Sequence, residues 1–164
     1  MTAADPAALL DALATRGETL AVAESVTGGL LAATLVDIPG ASRVFRGGLL
    51  VYATDLKASL AGVPEELLAE HGPVHPEVAA ALAEGTRVRC QATWAVATTG
   101  VAGPDWQHGI APGIAYVAVA GAASSPGGAP ITRRLELHGD RAVIRVGTVA
   151  AALELLAEAL DSCA

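Results

Sequence analysis

Short apolar runs alternate along this 164-residue chain with longer segments of helical spacing, and glycine or proline separates the two. Apolar runs of about four to eight residues are typical of buried strands, whereas apolar positions that recur every three or four residues indicate helices with one packed face. A chain that mixes the two kinds of segment in this way buries a sheet between layers of helices.

The pattern predicts a three-layer α/β/α fold with a mixed central sheet, and no linker divides residues 1–164, so we expect a single domain. Glycine and proline mark the element ends. The predicted helices are 6–16, 30–36, a short helix capped by Thr54, 64–70, 76–89 and a closing helix from Asp140. The predicted strands are 19–23, 49–52, 93–98, 114–120 and 131–137, with a flexible surface loop at 121–130.

Composition excludes several classes of function. The chain is 52% hydrophobic, enough for one sizeable core, and only 16% charged, with a net charge of -7. A nucleic-acid-binding protein needs a basic face, so we expect no nucleic-acid partner. Aromatic residues make up 3% of the chain, which also weighs against a stacking platform for single strands.

Location and assembly are predicted from the same features. The first residues carry no basic start or apolar signal core, and no apolar run reaches the ~20 residues that span a bilayer. We therefore expect a cytoplasmic protein without a membrane partner, in which Cys90 and Cys163 stay reduced. Sparse charge and many small apolar residues suit self-association, so we expect a homo-oligomer.

Lys57 is the only lysine among ten basic residues. Arginine stays protonated in any protein environment, whereas a desolvated lysine can lose its proton and act as a base. The one retained amine therefore suggests chemistry, and Ser25, in a glycine-rich turn, is the natural partner. On the residues alone a solvated helix lysine remains an alternative.

The turn that carries Ser25 lies between a predicted strand and a predicted helix. The first amides of a helix have no partner within it, so Thr27, Gly28 and Gly29 can present donors to an anion or to a developing oxyanion. The simpler interpretation is that Ser25 or Thr27 only caps the helix. A phosphate-loop interpretation fails, because that motif needs lysine where this chain has Leu30.

Histidine and arginine pairs suggest two further sites. His71 and His75 have helical i, i+4 spacing, but Gly72-Pro73 between them should break the helix that would align them, so we predict no metal site. Arg141 and Arg145 fall one turn apart on the closing helix and can grip phosphate, although a solvent-facing pair would look the same.

Five motifs in order resemble the CinA C-terminal domain, the nicotinamide-nucleotide amidase family, in its stand-alone form. They are segments 23–29, 39–45, 52–57, 99–104 and 139–141. The resemblance implies an enzyme that hydrolyses the amide of nicotinamide mononucleotide to nicotinic acid mononucleotide and ammonia. It implies no metal and no organic cofactor, and a small-molecule nucleotide as the substrate.

The resemblance also implies roles for particular residues. Ser25 would be the nucleophile, Lys57 its general base, and Tyr52 a neighbour that orients the pair. The residues expected to surround the amide and ribose are Thr27, Gly28, Gly29, Thr99 and Gly100. Arg141 would contact the phosphate.

The chain also departs from the family pattern. Val26 stands where the family usually has cysteine, and segment 52–57 reads Tyr-Ala-Thr-Asp-Leu-Lys where the family usually has Tyr-Ser-Asn-Glu-Ala-Lys. Segment 105–113 differs more, and the threonine that usually follows it is Ile114 here. Two alternatives therefore stay open: an amidase for a different small amide, and a catalytically silent protein that binds a nucleotide or a partner.

Overall fold

The helices and strands follow one another along the chain in the order that the sequence predicts. The computed structural model describes residues 4–121 and 128–163, so 122–127 of the predicted loop lie outside the described residues. The helices are α1 (Pro6–Arg16), α2 (Leu30–Val36), α3 (Thr54–Ser59), α4 (Glu65–His71), α5 (Pro76–Arg89) and α6 (Arg141–Asp161). The strands are β1 (Leu20–Glu24), β2 (Phe45–Leu50), β3 (Trp94–Gly100), β4 (Ile114–Gly121) and β5 (Ile131–Glu136).

The strands form one mixed sheet in the order β2-β1-β3-β4-β5. Strand β1 is parallel to both β2 and β3, whereas β4 is antiparallel to β3 and to β5. Helices cover both faces, so the predicted three-layer α/β/α architecture is confirmed. No helix of the described ranges is long and apolar enough to cross a membrane.

The two faces of the sheet differ in side-chain size. Large side chains point towards α1, α2 and α6, among them Leu20, Val22, Trp94, Val96, Val117 and Val119. The alternate positions on the same strands are alanines that pack against α5: Ala23, Ala97, Ala118 and Ala120. Because alanine side chains occupy little space above the sheet, α5 can pack close to it on the side where α3 also lies.

Gly85 in α5 allows this close packing. A Cβ at Gly85 would overlap the carbonyl oxygen of Ala61, which lies just beyond α3 and already accepts a hydrogen bond from Arg89 at 3.0 Å. We expect Gly85→Ala to destabilise the protein by roughly 1–3 kcal/mol, although the same change in a helix interior normally stabilises it by about 1 kcal/mol. Urea unfolding would measure the difference.

The matched control for this prediction is Gly147→Ala in α6. A Cβ there meets only the methyl ends of Leu137, at 3.2 and 3.3 Å, and those can shift. We expect this variant to be at least as stable as the parent. Equal stabilisation by both substitutions would contradict the packing argument for Gly85.

The second strand begins earlier in the chain than predicted. It spans Phe45–Leu50 instead of 49–52, because Gly47 and Gly48 pair with β1, where Gly48 packs against Val22. Thr54 is the first residue of α3 and Ala53 holds the cap position, so the predicted threonine cap is wrong. Lys57 lies in the last turn of this short helix.

Candidate active site

Ser25 and Lys57 come together at the carboxyl end of β1. Ser25 follows the strand directly, and Lys57 projects from α3, which begins shortly after the neighbouring parallel strand β2. The Lys57 Nζ atom donates to Ser25 Oγ at 3.0 Å, across 32 residues of sequence. The fold thus joins the two residues that the sequence analysis paired.

Backbone carbonyls hold the amine in place. Lys57 Nζ also donates to the carbonyl oxygen of Val51 at 2.7 Å and to that of Tyr52 at 3.4 Å. Lys57 is 1% exposed, and desolvation by burial lowers its pKa from 10.5 to about 8. A lysine with that pKa is neutral in part of the population near physiological pH, which is the state that can accept a proton from serine.

Glu24 occupies the helix start that was expected to bind substrate. This buried carboxylate accepts hydrogen bonds from the amides of Gly29 at 3.0 Å, Leu31 at 2.9 Å and Ala32 at 2.8 Å. The amide of Gly28 donates to the carbonyl of Ser25. The prediction that Gly28 and Gly29 present free donors is therefore wrong, because acceptors within the chain already use both amides.

Gly28 and Gly29 instead shape the turn. Their φ angles are 58° and 98°, in the left-handed region that glycine tolerates best. Within the described residues, the amides of Val26 and Thr27 have no hydrogen-bond acceptor, and Val26 lines the cavity that holds Ser25. Thr27 is fully buried and lines neither described cavity, so the Val26 amide is the donor of the turn that lies closest to a bound substrate oxygen.

Two threonines tie the site to neighbouring segments. The Thr27 hydroxyl lies 2.7 Å from that of Thr98 on β3, and the Thr27 carbonyl accepts from Arg145 at 2.6 Å. Thr99 donates to the carbonyl of Pro73 at 2.6 Å. Thr27 is thus a buried residue that links the turn to β3 and α6. Thr99 and Gly100 lie in the wall of the cavity that holds Ser25.

The Ser25–Lys57 pair lies in a cavity of about 80 Å³. Its walls come from the serine turn, α3, the α4–α5 connection, the end of β3 and the following loop. They comprise Ser25, Val26, Tyr52, Thr54, Lys57, Pro73, Val74, Thr99, Gly100, Ala102, Gln107, His108 and Arg141. Gln107 and His108 had no predicted role, although both belong to the 105–113 segment that departs from the family pattern.

A second, adjoining cavity of about 310 Å³ shares part of this wall. Val26, Tyr52 and Arg141 line both cavities, and Gly28 and Arg145 line only the larger one. Arg141 donates to the Tyr52 hydroxyl at 2.8 Å and to the Gly103 carbonyl at 3.0 Å. The hydrogen-bonded pair of Tyr52 and Arg141 therefore stands between the two cavities.

Tyr52 differs from its expected role. The residue is 60% exposed, its hydroxyl accepts a hydrogen bond from Arg141, and only its backbone carbonyl reaches Lys57. The Tyr52 hydroxyl therefore does not orient the Ser25–Lys57 pair. The backbone carbonyls of Val51 and Tyr52 orient Lys57 instead. Val51 and Tyr52 belong to the short connection between β2 and α3, and this connection brings their carbonyls to the Lys57 amine.

The paired histidines also differ from the prediction. His71 and His75 stack with ring centroids 4.0 Å apart and planes 5° from parallel. Gly72-Pro73 does break the helix as predicted, but the break turns the chain so that the end of α4 meets the start of α5 and the two rings come together. With Glu77 they place one possible ligand atom each within 4.8 Å of the others.

The protein thus belongs to the class of α/β/α proteins with a mixed central sheet, and it carries a buried serine–lysine pair beside a strand–helix turn. Residues 4–160 match the family described as the CinA C-terminal domain, and the chain belongs to that family. It is 51% identical over 148 residues to a CinA-like protein of Frankia casuarinae and 47% identical over 156 residues to one of Anaeromyxobacter sp.. These matches cover 90% and 94% of this chain but only 33% and 37% of the relatives, so the chain spans about a third of their length.

Solved structures agree with this assignment. A CinA superfamily protein from Klebsiella pneumoniae superposes with a TM-score of 0.89 at 28% identity, covering 96% of each chain. The competence/damage inducible protein CihA from Agrobacterium tumefaciens gives a TM-score of 0.83 at 32% identity, covering 94% of each chain. The resemblance seen in the five sequence motifs is therefore confirmed at the level of family and fold.

Proposed function

We propose that this protein is an amidohydrolase that deamidates nicotinamide mononucleotide to nicotinic acid mononucleotide and ammonia through the Ser25–Lys57 dyad. The observation that carries the proposal is the buried amine of Lys57, 3.0 Å from the serine hydroxyl and with its pKa lowered to about 8. A serine hydroxyl is a weak nucleophile until a neighbouring base takes its proton. Lys57 is the base that the geometry supplies.

In the first half of the reaction, neutral Lys57 takes the proton of Ser25 as Oγ attacks the carboxamide carbon. The cationic pyridinium ring of the substrate makes that carbon more electrophilic. The carbonyl oxygen gains negative charge and can accept from the amide of Val26, which lines the cavity. The ammonium of Lys57 then gives its proton to the departing nitrogen, so ammonia leaves and an ester to Ser25 remains.

In the second half, water hydrolyses this ester. Neutral Lys57 takes a proton from water as the hydroxide attacks the ester carbon, and it returns the proton to Ser25 Oγ as the acid product leaves. The same residue serves as base and acid in each half. The proposed steps use no metal and no organic cofactor.

Arg141 is proposed to bind the phosphate. It lines both cavities and needs only to exchange the Tyr52 hydroxyl for a phosphate oxygen, a charge-assisted partner. Arg145 lines the larger cavity as well. Local arginines can outweigh the diffuse net charge of -7, so the acidic chain is compatible with an anionic group on the substrate.

Arg141→Ala tests the phosphate contact. We expect kcat/KM for nicotinamide mononucleotide to fall about 10–100-fold, mostly through KM, because a charged hydrogen bond contributes about 1.5–3 kcal/mol. The activity on nicotinamide riboside, which lacks the phosphate, should change little. Tyr52→Phe is the matched control, since it removes the neutral partner of Arg141 and keeps the guanidinium. Equal losses on both substrates would contradict a phosphate contact.

The cavity wall favours a second candidate, an amidase for a different small amide. Gln107 and His108 enter the dyad cavity from the segment that departs from the family pattern, and the cavity measures about 80 Å³. Nicotinamide and other small amides would then react better than the mononucleotide. A catalytically silent binding protein is the remaining alternative.

A mass-resolved assay separates these candidates. Purified protein is incubated with nicotinamide mononucleotide, its riboside and free nicotinamide, beside Ser25→Ala and Lys57→Ala. Acid product from the mononucleotide with the parent protein alone supports the proposal. Product only from the smaller amides favours the second candidate, and binding without product favours the silent one.

The proposed assembly and location follow from composition. We propose that the protein works as a cytoplasmic homo-oligomer, without nucleic-acid or membrane partners, because its surface is sparsely charged and its balance acidic. Light scattering on a sizing column tests the oligomeric state. A mass that matches one chain at all concentrations would contradict it.

A further inference from the structure

Two histidines and a glutamate meet where α4 ends and α5 begins, outside the dyad cavity. His71 is the last residue of α4, His75 holds the cap position of α5, and Glu77 is the second residue of α5. One possible ligand atom of each lies within 4.8 Å of the other two. We propose that His71, His75 and Glu77 form a binding site for a divalent transition-metal ion, with Zn²⁺ as the probe.

The chemistry of the three side chains suits such an ion. Imidazole nitrogen and carboxylate oxygen bind Zn²⁺ at about 2.0–2.2 Å, and three protein ligands leave a fourth position for water. The ligand atoms must therefore move closer together. Both histidines are only partly buried and Glu77 is exposed, so all three side chains have room to turn. Glu70, with a carboxylate oxygen 3.8 Å from His71 Nε2, adds negative charge beside the site.

Binding requires a defined rearrangement. The stacked rings are nearly parallel, so their in-plane lone pairs do not converge and one ring must rotate. His75 Nδ1 now accepts the amide of Glu77 at 3.3 Å. A metal bound to Nδ1 would occupy the nitrogen that now accepts from the Glu77 amide. A metal bound to Nε2 would shift the ring proton to Nδ1, which could then no longer accept this hydrogen bond. In both cases a long and weak cap of α5 is exchanged for a metal bond.

The site lies directly beside the wall of the dyad cavity. Pro73 and Val74 belong to that wall, and Thr99 donates to the Pro73 carbonyl at 2.6 Å. His71 and His75 lie on either side of the segment 72–74. A bound ion would therefore hold the end of α4 to the start of α5 and fix this part of the wall.

The experiment is a zinc titration of the untagged, chelator-treated chain, followed by calorimetry and by competition with a chromophoric chelator. We expect saturable binding of one equivalent. Loss of an outer-shell partner already costs about 10–100-fold in metal affinity, so loss of a ligand in His75→Asn or Glu77→Gln should cost at least about 10-fold. Asparagine at position 75 can still cap α5.

Controls identify the ligands. His138→Asn changes an exposed histidine outside the cluster and should leave zinc affinity unchanged. The pair Cys90→Ser and Cys163→Ser should also keep it, because thiolates play no part in the proposed site. Absence of saturable binding, or unchanged affinity in both His75→Asn and Glu77→Gln, would overturn the proposal.

Glu77→Gln decides the matter if a histidine variant fails to fold, since this exposed residue can change without loss of packing. The titration does not depend on catalysis. An inactive protein that binds zinc through these residues would overturn the proposed amidase function and support the metal site. An active amidase without zinc binding would do the reverse.

Discussion

Lys57→Arg should lose at least about 10³-fold in kcat/KM for the amide substrate while it retains the positive charge. General acid–base catalysis contributes about 10²–10⁴-fold, and arginine, which stays protonated in proteins, cannot take a proton from serine. The lysine amine is 3.0 Å from Ser25 Oγ, so the base that is removed is the one in contact with the nucleophile. Steady-state kinetics on the purified variant measure the loss.

Ser25→Ala provides the companion measurement, because it leaves Lys57 in place and does not bury a larger cation. We expect a loss of similar size, and a double variant that is no worse than either single one, since residues that act as a unit are strongly non-additive. Circular dichroism and thermal unfolding establish that each variant is folded. Wild-type turnover by folded Lys57→Arg would disprove the dyad.

The difference in unfolding free energy between Lys57→Met and the parent protein should change by roughly 3 kcal/mol between pH 8 and pH 10.5. A native pKa of about 8 against 10.5 means that the unfolded chain binds a proton that the native state lacks between these values. The contribution of Lys57 to stability therefore rises as pH increases from about 8 to 10.5, and its cost is fully present below pH 8. Methionine carries no such cost, so the stability of the Lys57→Met variant relative to the parent protein is greatest at neutral pH and falls as pH rises towards 10.5.

The measurement is urea unfolding of both proteins at several pH values between 7 and 10.5. Loss of the amine also leaves the carbonyls of Val51 and Tyr52 without this donor, which destabilises the variant at every pH. The difference between the two curves isolates the titration of Lys57, because other groups cancel. Parallel curves would show that Lys57 keeps its ordinary pKa in the folded protein.

The local pattern of the chain was sufficient for most of the fold. The helices at Pro6–Arg16, Leu30–Val36 and Pro76–Arg89 have the predicted bounds, because apolar periodicity and the flanking glycine or proline act over a few residues. Strand β2 was misplaced for a tertiary reason. Its glycines look like a turn in isolation, and only Val22 on the adjacent strand explains why small residues belong there.

The site was predicted less completely, and Glu24 shows why. A glutamate before a glycine turn looks like any polar residue at a strand end, yet its carboxylate accepts three amides at the start of α2, among them that of Gly29, which was expected to face substrate. Competition among acceptors depends on which group the folded chain brings closest. Tyr52 gives a second example, because its hydroxyl accepts a hydrogen bond from Arg141, 89 residues away in the sequence.

By itself, the sequence determined the order of elements, the layered architecture, the family and the choice of Ser25 and Lys57, because residue type and spacing carry that information locally. Only the tertiary structure decided the lowered pKa of Lys57, the hydrogen bonds from the Gly29 amide and the first amides of α2 to Glu24, and the stacking of His71 on His75. Desolvation and hydrogen-bond competition are set by groups distant in the chain, so no local pattern contains them.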